Sequence, residues 1–515
     1  MRDVQRVGTG LNLGRPPAAS CEADGVDALV VPLTVGPDGT NRAGRRYPLG
    51  SPVLSLGVVV GSPTATRADV ARLYGRAAFG ISGVELDQYT GQPYADVVNR
   101  LVDIPDQPVR VYKDEVTRTQ LETNAEFNIE ECERWWLERM RSTLFPLEER
   151  MTLFWHDHFA TGYGPDPFAR SMIRQNQTLR VNALGNYRTL CNAVTLDPAM
   201  LQYLSGTESY VSPGPGGTTI RHVNENYGRE FFELFTLGVI PQVYTEADMK
   251  ESARALTGWL AYSSDSVQGA NAVQFNINRH DRGTKTVLGT TIGGPGTDEP
   301  NEYKKITDIA LAQPVASRYL AWKLVAHFAY VPSVTDLLAD TDPLVTKVAA
   351  SLRATDWSIK EAVRTMLLAD EFRYSKPRVR MPVELIAHGC KALNINADEN
   401  VYPQFWYLAQ KAGQEVFRPP NVSGWPYEKA WLSQTKTLAR YDIATTLFTK
   451  WQLKPTSPAS TDLPGWARLL GIAALSPTTT AACNAYLAAR AASTEAIKKA
   501  GVFILIATSP DWQVM

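Results

Sequence analysis

Cysteine is scarce in this 515-residue chain. The five present, Cys21, Cys132, Cys191, Cys390 and Cys483, are scattered, odd in number and never spaced as C-x-x-C. That pattern argues against a disulfide framework and against a cysteine-rich zinc site. Long apolar runs are missing too. No stretch approaches the roughly 20 residues of a membrane-spanning helix, and Val53–Val60 is apolar but short. Arg2 and Arg6 are followed by Gly, Asn and Pro rather than an apolar run, so no signal peptide is visible and the chain reads as cytoplasmic or already processed. Neither sign of charge dominates: 52 Lys and Arg against 53 Asp and Glu leave a formal charge of −1, without a basic run that would suggest nucleic acid. Also absent are the phosphate-cradling G-x-x-x-x-G-K-[ST], a G-x-G-x-x-G after a strand, H-E-x-x-H and G-x-S-x-G. These gaps remove the commonest nucleotide-binding, zinc-protease and serine-hydrolase readings.

What the chain does have is aromatic side chains and helical periodicity. Twelve tryptophans and 21 tyrosines suit a large core or a ligand groove lined by rings. Residues 1–65 are rich in Gly, Pro, Ser and Thr, with β-like runs at Ala28–Val35 and Val53–Val60, and read as an extended N-terminal arm. From residue 66 the texture is helical to residue 515, broken by a β/loop excursion at about 261–303. Long helices are expected over Asn124–Leu144, Ser171–Val194, Glu225–Leu237, Thr245–Leu260, Tyr303–Ala329, Leu344–Leu368 and Pro382–Leu393, and residues 205–221 read as a flexible loop. The expected fold is mainly α: a large irregular helical domain with a small β/loop excursion and an extended N-terminal arm.

Of only six histidines, two stand together in Leu153-Phe-Trp-His-Asp-His-Phe-Ala-Thr-Gly-Tyr163. Leu147, Met151, Phe154, Trp155 and His158 fall on one helical face, which places His158 on the buried side. His156 lies about 200° around the helix, so both rings reach one ion only if the backbone leaves helical geometry before His158. The pair is open to two readings: metal ligands, or a packed His158 with a hydrogen-bonded His156 near a helix end.

Three further constellations carry chemistry-bearing residues. In Asn224-Glu-Asn-Tyr-Gly-Arg-Glu-Phe-Phe-Glu233, Glu225 and Arg229 are spaced to pair, and Glu230 with Glu233 sits among aromatics. Buried carboxylates have raised pKa values and suit metal ligation or acid–base work, while the same set also makes an ion-pair network bracing a core. His280 and Asp281 adjoin in the excursion, as a ligand pair, as a base with its orienting acid, or as ordinary loop residues. Arg418-Pro-Pro-Asn-Val-Ser-Gly-Trp-Pro426 forms a stiff loop that presents Trp425 beside Asn421, as a groove wall for a sugar or as a structural plug. His222, His327 and His388 show no partner signal.

Taken in order, Arg72-Leu-Tyr-Gly-Arg-Ala-Ala-Phe-Gly80, Phe154-Trp-His-Asp-His-Phe-Ala-Thr161, Asn224-Glu-Asn-Tyr-Gly-Arg-Glu230 and Glu233-Leu-Phe-Thr-Leu-Gly238 stand in the first half of the chain. Ala255-Leu-Thr-Gly-Trp259, Asn278-Arg-His-Asp281 and Pro419-Pro-Asn-Val-Ser-Gly-Trp-Pro426 follow. Together they resemble, across residues 66–515, a large bacterial family of unknown function catalogued under the number eighteen hundred. Asp157 stands where the family pattern has asparagine. The resemblance implies no reaction. It implies members that are often exported and often encoded beside a sulfatase-like family, hence a sulfatase-like partner protein.

These readings combine into an expected metal-dependent enzyme, hydrolytic in type. His156, His158, His280 and Asp281 would hold a divalent zinc, iron or copper ion; Glu230, Glu233 and Arg229 would serve acid–base chemistry on metal-bound water. Asn226, Asn421 and Trp425 would contact a small-molecule or carbohydrate ligand. A copper or iron oxidoreductase at the same site and a non-catalytic binding or assembly protein are the alternatives.

Overall fold

Small polar residues and prolines set the helix starts. Thr66, Ser82 and Thr245 each accept a hydrogen bond from the amide three residues on, while Asp69, Glu85 and Asp248 reach back to the cap amide. These reciprocal caps satisfy donors that a helix leaves unpaired. Proline opens Pro146–His158, Pro198–Tyr203, Pro314–Phe328, Pro343–Ala354, Pro382–Leu393 and Pro477–Ala489, where its missing N–H costs nothing. The computed structural model describes residues 62–104, 129–164, 169–240, 242–261, 273–294, 296, 299–339, 341–396, 402–451 and 457–515. The β-like runs expected at Ala28–Val35 and Val53–Val60, and all but the last four residues of the expected arm, lie outside them.

The described chain is mainly α-helical with small two-stranded sheets. Residues Gly61–Met515 make one unit. None of the described helices is long and apolar enough to cross a membrane. Several expected helices are in fact pairs. Ser171–Val194 divides into Ala169–Val181 and Tyr187–Thr195 because Asn186 caps a new start, Tyr303–Ala329 divides at Pro314, and Leu344–Leu368 divides at the Ser358 cap. An apolar period that continues across a cap hides the break. The excursion holds two antiparallel pairs, Trp259–Ala261 with Val273–Phe275 and Lys285–Val287 with Thr290–Ile292. Residues 205–221, expected to be a flexible loop, contain strand Tyr210–Pro213, paired with Thr219–His222. Two ring contacts hold this hairpin: His222 stacks on Tyr210 at 4.5 Å, and the Arg279 guanidinium lies 4.1 Å from the same ring.

Two apolar clusters meet at the helix Pro146–His158. Its Leu147, Met151, Phe154 and Trp155 join one cluster and its Leu153 joins the other. Every residue from Leu147 to His158 is buried, including Glu148, Glu149, Arg150, Thr152, His156, Asp157 and His158. Charge inside a core is tolerated only when paired and hydrogen-bonded. Glu149 accepts from Arg139 and Arg180 at 2.5 Å each and from the Trp136 indole at 3.1 Å. Burial pushes its carboxyl up, yet Arg180 and Arg139 together bring it down to about 2. Arg150 pairs with Glu384, which also receives Arg378 at 2.5 Å. This helix is the axle of the fold.

Removing one member of such a triad leaves uncompensated charge in the core. Glu149→Ala is expected to lower unfolding stability by about 3–5 kcal/mol. Urea or thermal melts would check this, and an unchanged midpoint would contradict the triad's structural role.

Candidate functional site

Three consecutive residues at the end of the axle helix grip three different parts of the molecule. The His156 Nε2 accepts the Phe417 N–H at 2.9 Å, which leaves its proton on Nδ1. The ring sits among Trp136, Phe417 and Trp425, with centroids 5.4–5.5 Å away. Burial brings its pKa down to about 3. Asp157 Oδ1 accepts the Trp425 N–H at 2.6 Å. His158 Nε2 lies 3.0 Å from the Phe235 carbonyl and 2.9 Å from the Tyr187 hydroxyl. Burial, with Lys323 adding to it, holds His158 well below an ordinary histidine. Its Nδ1 has no partner.

The loop that His156 and Asp157 hold has matching backbone. Phe417 has φ +63° and Gly424 φ +80°, and a side chain at Gly424 would run into the Asp157 carboxylate and carbonyl. Glycine is required there on both counts. Trp425 is 4% exposed, so its indole plugs the core beside His156 and does not wall a groove. Asn421 is exposed and turns the loop through its Oδ1, which accepts the Ser423 N–H. Asn226 is exposed at a helix start.

The helix continues through His158, so its two histidines remain on different sides. The expectation that only His158 faces inward does not hold, because the helix is enclosed on every side. His280 and Asp281 lie in a third setting. The His280 Nδ1–H donates to the Thr257 carbonyl at 2.8 Å, and its Nε2 is 3.3 Å from Glu302, which also pairs with buried Lys285 at 2.7 Å. Asp281 accepts from Arg221 at 2.6 Å and Arg254 at 2.9 Å. Burial pushes the Asp281 carboxyl up, and these arginines outweigh it, leaving the carboxyl below its ordinary value. No three His, Cys, Asp or Glu side chains among the described residues stand together as a metal-holding group. The four expected ligands do not form one donor set.

Glu230, Glu233 and Arg229 are together, as expected. Arg229 reaches Glu246 at 2.7 Å, Glu233 at 3.5 Å and Glu225 at 3.6 Å. The helix Asn226–Glu230 changes at Phe231 into a π-helical turn, Phe231–Thr236. Glu230 is half-buried and makes no hydrogen bond or ion pair of its own among the described residues. Burial first, then Glu233, raises its pKa.

Glu230 lies within electrostatic reach of Tyr319, which leads to polar groups that the sequence reading passed over. Pro314–Phe328 runs antiparallel to the axle helix: His327 meets Phe154 at 5.1 Å, and Tyr319 meets His158 at 6.4 Å. Between them, at the intervening i+4 position, stands Lys323. Lys323 and Tyr427 are densely surrounded yet keep some accessible surface, as groups lining a concavity do. Lys323 has no hydrogen bond and no carboxylate within ion-pair distance among the described residues; Tyr427 has no hydrogen bond through its hydroxyl. Burial pulls the Lys323 pKa below the usual lysine value, with Asp157 opposing. Asp157 and Tyr319 lie within electrostatic reach of Tyr427, and Glu230 within reach of Tyr319 and Tyr203. One signal was present in the sequence: a lysine inside Leu320-Ala-Trp-Lys-Leu-Val-Ala326, an otherwise apolar helical run.

The chain is thus a mainly α-helical protein whose polar groups collect around one enclosed helix. A family model described as "Protein of unknown function (DUF1800)" matches residues 72–514, and the chain belongs to that family. No curated protein and no solved structure matches it.

Burial raises the Asp157 carboxyl from 3.8 to about 6, against the opposing pull of Lys323, the Trp425 N–H and Arg150. The folded state therefore holds this proton more tightly than the unfolded chain, and stability falls as pH rises from about 4 to above 6. Asp157→Asn keeps an acceptor for Trp425 and removes the titration. It is expected to raise stability by about 1–3 kcal/mol at pH 8, with the gain vanishing near pH 4. Thermal melts of both proteins across that range test it; a pH-independent difference would contradict it.

Proposed function

We propose that this protein is an enzyme whose reaction centre is the recess formed by Lys323, Tyr427, Glu230 and Asp157, working by proton transfer between these groups and a bound small molecule. The observation that carries the reading is the convergence of polar groups without protein partners. Two carboxylates deep in this core are paired with cations, Glu149 by two arginines and Glu384 by Arg150 and Arg378. In the recess, an amine, a phenol and a carboxylate are left unmatched, and one Asp157 oxygen has no hydrogen bond. Partly accessible polar groups that have no protein partner and lie beside a buried carboxyl can be met by a ligand.

Each group has a chemical use. Burial that disfavours the ammonium form makes Lys323 a better base or nucleophile than an exposed lysine. A carboxyl raised by burial, as at Glu230, holds its proton more tightly than an exposed one and can exchange it with a substrate. Tyr427 offers a hydroxyl donor whose pKa is driven up by burial and by Asp157, so it stays protonated and orients a substrate oxygen. His156 and Asp157 Oδ1 fix the loop that carries Tyr427, and His158 ties the recess wall to the Phe235 carbonyl. In this reading the two histidines are positioning residues, and the metal expected at them is not needed for the proton transfers.

Competitive labelling with trace acetic anhydride from about pH 6 to pH 11, mapped by peptide mass, tests the reading without a known substrate. Lys323 is expected to reach half-maximal reactivity at lower pH than exposed Lys250 and Lys429. A substrate screen should then show activity that Lys323→Met and Glu230→Gln reduce at least about 100-fold, in the range of lost general acid–base catalysis. Elemental analysis of the same preparations reports any bound metal. A Lys323 that titrates with the surface lysines, or never reacts, would sink the proposal.

A further inference from the structure

The recess has the parts for covalent chemistry with a carbonyl compound. Lys323 is held at the i+4 position after Tyr319 on a helix clamped against the axle helix. Its amine is therefore presented from a rigid element, while its Nζ remains free of hydrogen bonds and ion pairs. Tyr319 is fixed through its hydroxyl, which donates to the Leu234 carbonyl at 2.8 Å, and Trp322 meets Tyr427 edge-on at 6.5 Å. Aromatic walls of this kind accommodate an apolar chain or ring. The Asp157 carboxyl stands within electrostatic reach of the amine, beyond ion-pair distance.

We propose that Lys323 forms an imine with a small aldehyde or ketone substrate, a role that rests on the acid–base reading of the recess. The neutral Nζ attacks the carbonyl carbon, the carbonyl π pair moves to oxygen, and a proton passes from nitrogen to that oxygen to give a carbinolamine. Asp157 in its acid form protonates the hydroxyl, which leaves as water while the nitrogen lone pair forms C=N. The product is a protonated imine at Lys323 and a carboxylate beside it. Hydrolysis by the reverse path returns the amine and the carbonyl, so no external oxidant or reductant is consumed. Tyr427 is placed to hydrogen-bond the carbonyl oxygen during addition. The depressed Lys323 pKa favours the neutral amine that the first step needs.

Reductive trapping decides the matter. The full-length protein is incubated at neutral pH with pyruvate, glyoxylate or propanal in sodium cyanoborohydride, then digested and mapped by mass. Lys323 is expected to carry the reduced adduct at least about tenfold above exposed Lys250 and Lys429 with one or more of these probes. Lys323→Arg, which keeps the charge, should lose that adduct and leave the others unchanged. The mapping of the unsubstituted protein stands whether or not the variant folds. Adduct at Lys323 no greater than at the two reference lysines overturns the imine proposal. If acetic anhydride still acylates Lys323 ahead of them, the acid–base recess survives that failure; if neither reagent prefers Lys323, both readings fall.

Discussion

The fold depends on enclosing a charged helix. Leu147–His158 carries two glutamates, an arginine, an aspartate and two histidines through the middle of the molecule, with apolar clusters on either side. Each charge placed there needs a partner from another element, so Arg139 comes from the preceding helix, Arg180 from the following one, and Glu384, itself met by Arg378, from a helix far along the chain. Apolar contact alone is indifferent to register. A carboxylate that needs two guanidinium groups at 2.5 Å is not, and Glu149 fixes the helices that carry Arg139 and Arg180 against the axle helix. The arrangement resembles a keyed shaft, in which the oily surfaces give cohesion and the ion pairs set the angle.

The same enclosure explains what the residue pattern revealed and what it hid. Helices were legible because caps and apolar periods are local. Thr245 with Asp248, and the proline starts, could be read directly. Breaks at Asn186 and Ser358 were obscured because the apolar stripe resumes on the far side. The histidines were conspicuous by rarity and proximity, and what their rings bond to was not legible for a physical reason. Sequence shows that a ring is present, not that a backbone amide 261 positions away is aimed at its lone pair. Glu230 was recognised by its carboxylate among aromatics. Lys323 and Tyr427 lie more than 90 residues from it in the chain and join it only through tertiary packing.

Two uses of polar groups now stand side by side. His156 Nε2, Asp157 Oδ1, His280 Nδ1 and the Asp281 carboxylate are engaged by hydrogen bonds that hold loops in place: Phe417 and Trp425 in one case, Thr257, Arg221 and Arg254 in the other. Lys323 and Glu230 are not consumed. The contrast is useful because both kinds look alike in a list of chemistry-bearing residues. A histidine whose lone pair already accepts an amide is stiffened for support, whereas an amine left without a partner is kept ready for something that arrives.

The π-helical turn at Phe231–Thr236 has a consequence for how this chain can vary in length. Wider turns leave more carbonyls uncapped at the helix end. Here side chains take them up: Tyr319 serves Leu234, while Tyr187 and His158 share Phe235. A deletion of one residue within Phe231–Thr236 would let the turn tighten to ordinary α geometry and rotate the later carbonyls by about 100°. All three hydroxyl and imidazole donors would then point at the wrong atoms. The segment therefore tolerates exchange of side chains better than a change in residue number, and a single-codon deletion there would be felt at His158 without touching it.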